Sequence, residues 1–251
     1  KYHGWQKQKN CRTIQEEIEL VLAKILKRDV LCHGCGRTDA GVHAKQYFAH
    51  INFENEIEIS SFIFKMNKAL PNAIAIYDLI PLSVNGNAQR DATKRTYEFY
   101  LHHHKNPFLE NYSVASNLHT LDLEIINETI KFLKSTKDFR SLCIQADKHN
   151  HTLCNVLDIN FIMNEDKSKA KFDITADRFL RKMIRIIVAR LIDLGNSKLD
   201  LKQFIRDVRN GNKPQNTRAI QPHGLYLSKI EYPFIQNRKV KSNLLLDWTH
   251  N

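Results

Sequence analysis

Apolar residues recur at helical spacing in several parts of this chain and predict five helices. After Thr13, the residues Ile14, Ile18, Val21, Leu22 and Ile25 fall on one face of a helix. Thr13 and Glu16 form a capping box at its start, because a Thr followed by a Glu three residues later satisfies free backbone amides. Further helices are predicted from Ser60 to Leu70, from Leu121 to Lys134, from Asp177 to Leu194 with Gly195 as C-cap, and from Asp200 to Gly211.

Other stretches alternate apolar and polar residues, which is the period of a strand with one buried face. Such strands are predicted around 30–32, 47–53, 93–103, 157–163, 170–174 and 224–232. The polar run Asn164-Glu165-Asp166-Lys167 joins two of these strands as a hairpin loop. Short loops between strands indicate mainly antiparallel pairing.

The two halves of the chain share a rhythm of helix, strands and helix. The pattern predicts an α+β fold with two similar lobes, mainly antiparallel sheets, helices on the outer faces and a cleft between the lobes. We expect an N-terminal lobe over residues 1–104 and a C-terminal lobe over residues 105–251.

Composition favours a polyanionic partner. The 251 residues carry a net charge of +11, and the calculated pI is about 9.4. Such a charge attracts nucleic acid, although an AT-rich genome also raises the number of Lys and Asn residues. The apolar runs are too short for a membrane span, and no signal peptide is visible. Five cysteines at irregular spacing are typical of a reducing, cytoplasmic location.

Two short motifs contain residue types that commonly bind metal ions. Cys32 and Cys35 have C-x-x-C spacing, but a structural zinc site needs a second ligand pair that the sequence does not supply. We therefore expect small buried hydrophobic side chains. The tract His102-His103-His104 ends a predicted strand, in which alternate side chains face opposite ways. No metal and no cofactor are predicted.

The most distinctive stretch is Gly36-Arg37-Thr38-Asp39-Ala40-Gly41-Val42-His43-Ala44. A nearby cation favours the charged form of a carboxylate, which suits Asp39 to act as a nucleophile or an electrostatic stabiliser beside Arg37. The same residues also suit an ordinary turn in which Asp39 bonds the following amides.

Two residues elsewhere are candidates for the same chemistry. Arg185 lies among Ile184, Ile186 and Ile187, where a charge needs a partner; the alternative is a side chain on a solvated helix face. Tyr97 follows Lys94 and Arg95, and an aromatic ring flanked by cations can stack on a base. The alternative is an ordinary strand tyrosine.

The loop from Gly36 to Ala44 resembles the signature of the tRNA pseudouridine synthase A family. Segments in the same order along the chain strengthen the resemblance: Tyr2-His3-Gly4-Trp5-Gln6, Thr13-Ile14-Gln15, Asn67 with Ala69-Leu70-Pro71, Arg95-Thr96-Tyr97, Asp138-Phe139, Phe179-Leu180 with Met183-Ile184-Arg185, and His223-Gly224-Leu225-Tyr226-Leu227. The resemblance implies isomerisation of uridine to pseudouridine in the anticodon stem–loop of tRNA. It also implies a homodimer without a cofactor.

Roles for four residues follow from the resemblance. Asp39 matches the catalytic aspartate, Arg37 the arginine that displaces the target base, Tyr97 the tyrosine that packs on uracil, and Arg185 the arginine that pairs with the aspartate. The chain departs from the family at Gln89-Arg90, where many members have Arg-Phe. It also lacks the strand that usually precedes the Tyr-x-Gly-Trp loop: either the start is trimmed or disordered, or a central strand is missing. We expect the first, because loss of a central strand would expose two neighbouring edges of the sheet.

Two other functions are consistent with parts of the sequence. A non-catalytic RNA-binding or RNA-folding protein of similar fold would explain the charge and the aromatic strands. It would not explain an Arg-Thr-Asp loop together with Arg185. A metal-dependent hydrolase would use the Cys and His residues.

Overall fold

The computed structural model describes residues 2–53, 56–82, 86–214 and 217–235. The chain divides into two units with separate cores. Unit 1 comprises Lys1–Ala40, Lys45–Ala92 and Glu231–Asn251, and unit 2 comprises Gly41–Ala44 and Thr93–Ile230. The division into lobes at residues 104 and 105 is a different partition of the chain and stays a prediction.

The described residues of unit 1 form two helices and a short antiparallel ribbon. Helix α1 (Ile14–Leu26) begins at Thr13, whose hydroxyl accepts a hydrogen bond from the Glu16 amide, as predicted. Strands β1 (His33–Gly34) and β3 (Ala49–His50) pair antiparallel, and helix α2 is Ile59–Ala69. Their buried side chains form one cluster: Trp5, Ile18, Val21, Leu22, Val30, Cys32, Phe62, Met66 and Leu70.

Three predictions for unit 1 need correction. The cap of α2 is Glu58 rather than Ser60, because the Glu58 carboxylate accepts hydrogen bonds from the amides of Ser60 and Ser61. The strand predicted around residues 30–32 begins only at His33. The alternation of Tyr47, Ala49, Ile51 and Phe53 does place Tyr47, Ile51 and Phe53 against the core, but Ala49 is exposed and regular pairing is limited to β3.

Unit 2 is built on a six-stranded sheet. Its strands are β2 (His43–Ala44), β4 (Lys94–His102), β5 (Val114–Ala115), β6 (Val156–Met163), β7 (Lys169–Ala176) and β8 (Leu225–Glu231). The order is β2-β8-β4-β7-β6, and β5 pairs with β4. The long pairs β4–β7 and β6–β7 are antiparallel, whereas the two-residue strands β2 and β5 pair parallel. The prediction of mixed α and β structure with mainly antiparallel pairing is confirmed.

Three helices pack with this sheet in the core of unit 2. They are α3 (Leu123–Ser135), α4 (Met183–Gly195) and α5 (Leu201–Arg209). Asp122 and Asp200 cap α3 and α5 through their carboxylates. In α4, every residue except Arg185 is buried.

The predicted start of α4 at Asp177 is wrong, and the helix begins at Met183. The residues before it are held in a non-helical conformation by the segment from 144 to 155. The Asp177 carboxylate accepts a hydrogen bond from the Asn155 amide, and the Arg181 carbonyl accepts one from the Ile144 amide. Lys182 then takes a left-handed conformation with φ of 58°. At the other end, Gly195 completes the last turn and the C-cap is Asn196.

No helix in the described part of the chain has both the length and the apolar surface needed to cross a membrane.

Candidate active site

The loop from Gly36 to Ala44 leaves β1 in unit 1. Its start is fixed because the Cys35 amide donates to the Phe48 carbonyl and the Tyr47 hydroxyl donates to the Gly36 carbonyl. Tyr47 is itself stacked on Trp5, with 4.3 Å between ring centroids. On this loop, Arg37 is exposed and Asp39 is half-buried. The two residues are therefore presented together by a loop with a defined conformation.

The N-terminal segment lies directly against the backbone of this loop. Gly4 has a φ of +80°, and a Cβ atom there would lie 2.1 Å from the Thr38 carbonyl oxygen and 3.1 Å from the Asp39 carbonyl carbon. Only a residue without a side chain permits this approach. The segment is held in turn by α1, since the Ile14 amide donates to the Gly4 carbonyl.

The last residues of the same loop belong to unit 2. Gly41 has a φ of +77°, and a Cβ atom there would meet Pro222. His43 and Ala44 form β2, which pairs with Tyr226 and Leu227 of β8. These contacts hold the loop at its second end.

The His43 side chain adds contacts of its own. Its ring stacks on that of Tyr226 at 4.6 Å, and its Nε2 lies 3.0 Å from the Asn111 carbonyl oxygen. Burial lowers the pKa of His43, and the positive charge of His223 adds to the effect. Burial therefore favours the neutral form of the ring, whereas the hydrogen bond to the Asn111 carbonyl acts in the opposite direction on the pKa.

Tyr97 lies on β4 in unit 2, opposite Ile174 of β7. The ring is half-buried and packs edge-to-face on Phe179, with centroids 5.2 Å apart. Nearby, Arg95 donates from Nη1 to the Asp177 carbonyl. Tyr97 is thus a fixed aromatic ring that is not fully enclosed.

Arg185 lies in the first turn of α4. Its Nε donates to the Ile220 carbonyl at 2.7 Å, and the Ile220 amide donates back to the Arg185 carbonyl at 3.2 Å. The guanidinium also lies close enough to His223 to contribute to the lowered pKa of that histidine, whose main cause is burial. The hydrogen bond to Ile220 therefore fixes the orientation of the Arg185 side chain. The other residues of α4 are buried.

The four predicted site residues are divided between the units. Arg37 and Asp39 share one loop of unit 1, whereas Tyr97 and Arg185 lie on β4 and α4 of unit 2. Sequence reasoning assigned no role to Gly4, His43 or the Ile220 carbonyl. Gly4 and His43 stand inside the motifs that carried the resemblance, but a backbone carbonyl leaves no signal in the sequence.

The predicted role of Cys32 and Cys35 as small buried side chains fits the structure. Both are buried, and burial raises the pKa of the Cys32 thiol to about 12. A thiol with such a pKa is protonated at neutral pH. Among the described residues, the group of three potential ligands that lies close enough for a metal ion is instead His103, His104 and His119.

Comparison with known proteins finds similarity to tRNA pseudouridine synthases both in a family model and in individual proteins. Residues 131–233 match the family model described as tRNA pseudouridine synthase. The tRNA pseudouridine synthase A of Azobacteroides pseudotrichonymphae is 37% identical over 233 residues, covering 92% of each chain. The proteins of the same name from Porphyromonas gingivalis and Bacteroides fragilis are 33% and 34% identical, and the matches cover 93% and 92% of each chain.

Proposed function

The chain belongs to the tRNA pseudouridine synthase A family, and from this premise we propose that it isomerises uridine to pseudouridine in tRNA, with Asp39 as the catalytic carboxylate. The assignment of the reaction is supported by the similarity to tRNA pseudouridine synthases A over nine tenths of both chains. The fixed loop that presents Arg37 and Asp39 supports the assignment of the site.

The reaction breaks the bond between N1 of uracil and C1′ of the ribose and forms a bond between C5 and C1′. The proton on C5 is lost and N1 gains one, so no oxidant, reductant or metal is needed for balance. The reacting atoms are stacked inside a helix, and the base must leave the stack at a cost of a few kcal/mol. Arg37 is exposed, planar and cationic, so it can fill the gap while contacting phosphate.

Asp39 acts on the ribose or on the base. Its carboxylate attacks C1′, attacks C6 of uracil, or assists removal of the C2′ proton, and carboxylates serve as nucleophiles in related glycosyl chemistry. These three routes share the requirement for an ionised and oriented carboxylate.

Arg185 provides the orientation of Asp39 in this proposal. The hydrogen bond from Nε to the Ile220 carbonyl fixes the plane of the guanidinium. A guanidinium with a fixed plane is suited to binding a carboxylate through parallel hydrogen bonds. Arg185 is half-buried in an otherwise buried helix, which is consistent with this role.

Tyr97 provides the surface on which uracil stacks. Its ring is held by Phe179 and retains a partly exposed surface. Stacking of a base on an aromatic ring contributes about 1–3 kcal/mol.

The substrate, the assembly and the location of the protein follow the same premise. We propose that the protein acts on the anticodon stem–loop in a cleft between two lobes, as a homodimer in the cytoplasm. The net charge of +11 supports an RNA partner.

Release of tritium from tRNA labelled at C5 of uracil tests the activity. We expect the wild-type protein to release tritium, and Asp39→Asn to bind tRNA without releasing it, because an amide is a poor nucleophile. Asp29→Asn is the matched control, since Asp29 is an exposed aspartate of unit 1 outside the loop.

Two results would contradict the proposal. Binding without tritium release by the wild-type protein would favour the non-catalytic RNA-binding alternative, and normal release by Asp39→Asn would exclude Asp39 as the catalyst.

Repeating the assay with tRNA whose anticodon-arm uridines are replaced by cytidine tests the choice of stem–loop. Undiminished release from that tRNA would exclude the anticodon arm as the target.

A further inference from the structure

Three histidines converge at one edge of the sheet in unit 2. Strands β4 and β5 are parallel, with His102 opposite Ala115, so the chain leaves both strands at the same edge. His103 and His104 directly follow β4, and His119 follows β5 in the turn before α3. One ring nitrogen from each of the three lies within 4.8 Å of one from each of the others.

His102 is not part of this group. It is buried, and its Nδ1 lies 2.7 Å from the Ser113 hydroxyl oxygen. The sequence tract of three histidines is therefore split. His102 is buried inside unit 2. His103 and His104 lie close to His119, and His104 and His119 are exposed.

The Leu118 amide donates a hydrogen bond to Nδ1 of His103 at 3.1 Å. The neutral ring therefore has its lone pair on Nδ1 and its proton on Nε2. A metal ion bound at Nδ1 would replace this single hydrogen bond, which contributes about 1 kcal/mol.

We propose that His103, His104 and His119 form a binding site for one divalent transition-metal ion such as Zn²⁺. Imidazole nitrogen is a preferred ligand of zinc, copper and nickel ions, whereas magnesium and calcium ions prefer oxygen. Zinc–nitrogen bonds of about 2.0–2.1 Å in a tetrahedral site bring the nitrogens to about 3.4 Å from each other. The exposed rings of His104 and His119 reach this separation by rotating, and water completes the coordination.

The hairpin loop between β6 and β7 supplies a negative charge at this edge. The His103 amide donates to the Ser168 carbonyl, which ties the loop to the group. In the same loop, hydrogen bonds from Ser168 are the main cause of the lowered pKa of Asp166, and His119 contributes. The Asp166 carboxylate therefore partly offsets the charges of a bound cation and of Lys169.

Within unit 2, the proposed metal site is separate from Tyr97, the residue assigned to stacking on uracil. His103 follows Tyr97 by six positions of extended chain, which is about 20 Å along the strand. The ion would join the end of β4 to the segment that leads into α3, so its expected effect is on stability.

Calorimetric titration of the metal-free full chain with ZnCl₂ tests the site. We expect one zinc ion per chain, no binding of MgCl₂, and at least about tenfold weaker zinc binding in His103→Asn, His104→Gln and His119→Gln. Asn at position 103 keeps an acceptor for the Leu118 amide, so this variant should fold. His33→Gln is the matched control, because it removes an exposed histidine from a stacked pair with His50.

Thermal unfolding gives an independent measurement. Zinc should raise the Tm of the wild-type protein and of His33→Gln, but not that of His119→Gln, because an ion that binds only the folded state stabilises it. Absence of zinc binding by the wild-type protein would overturn the proposal. Equal zinc affinity of wild type and His119→Gln would also overturn it, since the ion would then bind elsewhere.

Discussion

At the scale of single residues, Gly4 constrains the loop that carries Asp39. Both its positive φ and the 2.1 Å separation of a Cβ atom from the Thr38 carbonyl oxygen exclude a side chain there. The opposing atom belongs to the backbone, so relief requires movement of the loop itself. A displacement of about 1 Å at a catalytic group can cost about 100-fold in rate.

We expect Gly4→Ala to reduce the rate of tritium release by between about tenfold and about 100-fold, with a loss of stability of about 1–3 kcal/mol. Gly211→Ala is the control, because Gly211 has a similar φ of +70° but its nearest neighbour is Arg140 Cδ at 3.9 Å. That variant should lose stability and keep its rate. Equal rates for the two variants would show that the loop tolerates the displacement.

At the scale of elements, the position at which α4 begins decides what Arg185 can do. A helix that began at Asp177 would place Arg185 in its middle turns. Because α4 begins at Met183, Arg185 lies in the first turn, where the positive end of the helix dipole favours a negatively charged partner. The Ile220 carbonyl then fixes the guanidinium through Nε.

We expect Arg185→Lys to lower kcat by at least about tenfold with a small change in KM, because an ammonium group cannot reproduce the planar pairing of a guanidinium with a carboxylate. Arg181→Lys is the control, since Arg181 is exposed and precedes the helix. Single-turnover measurements on both variants check the expectation. A normal kcat in Arg185→Lys would mean that positive charge alone is sufficient.

At the scale of the whole molecule, both units contain histidines whose pKa lies below the ordinary value of 6.5. Burial is the main cause for each of His43, His50 and His223. The unfolded chain therefore binds more protons than the folded chain as the pH falls through 6.5. Stability is fully present above this value and declines below it.

We expect the free energy of unfolding in urea to fall between about pH 7.5 and about pH 5.5. His50→Asn should reduce this dependence while keeping an acceptor for the Ala88 amide. His151→Gln, which removes an exposed histidine, is the control. An unfolding free energy that is constant over this range would contradict the expectation. Chelator in all samples removes any effect of metal ions.

The sequence by itself determined the features that depend on neighbouring residues. Thr13 and Asp200 cap their helices because a side-chain oxygen reaches an amide three residues ahead. The hairpin β6–β7 follows from two alternating strands and a short polar loop. The loop from Gly36 to Ala44 was sufficient to indicate the family, because the identities and spacing of its residues are distinctive.

Only the tertiary structure decided the features that depend on distant segments. Strands β2 and β5 are two residues long and exist because β8 and β4 supply their partners. Residues 177–182 remain outside α4 because the segment from 144 to 155 binds their backbone groups. His119 joins His103 and His104 because two parallel strands end at one edge. Periodicity reports local spacing, and it carries no information about which distant backbone groups compete for the same hydrogen bonds.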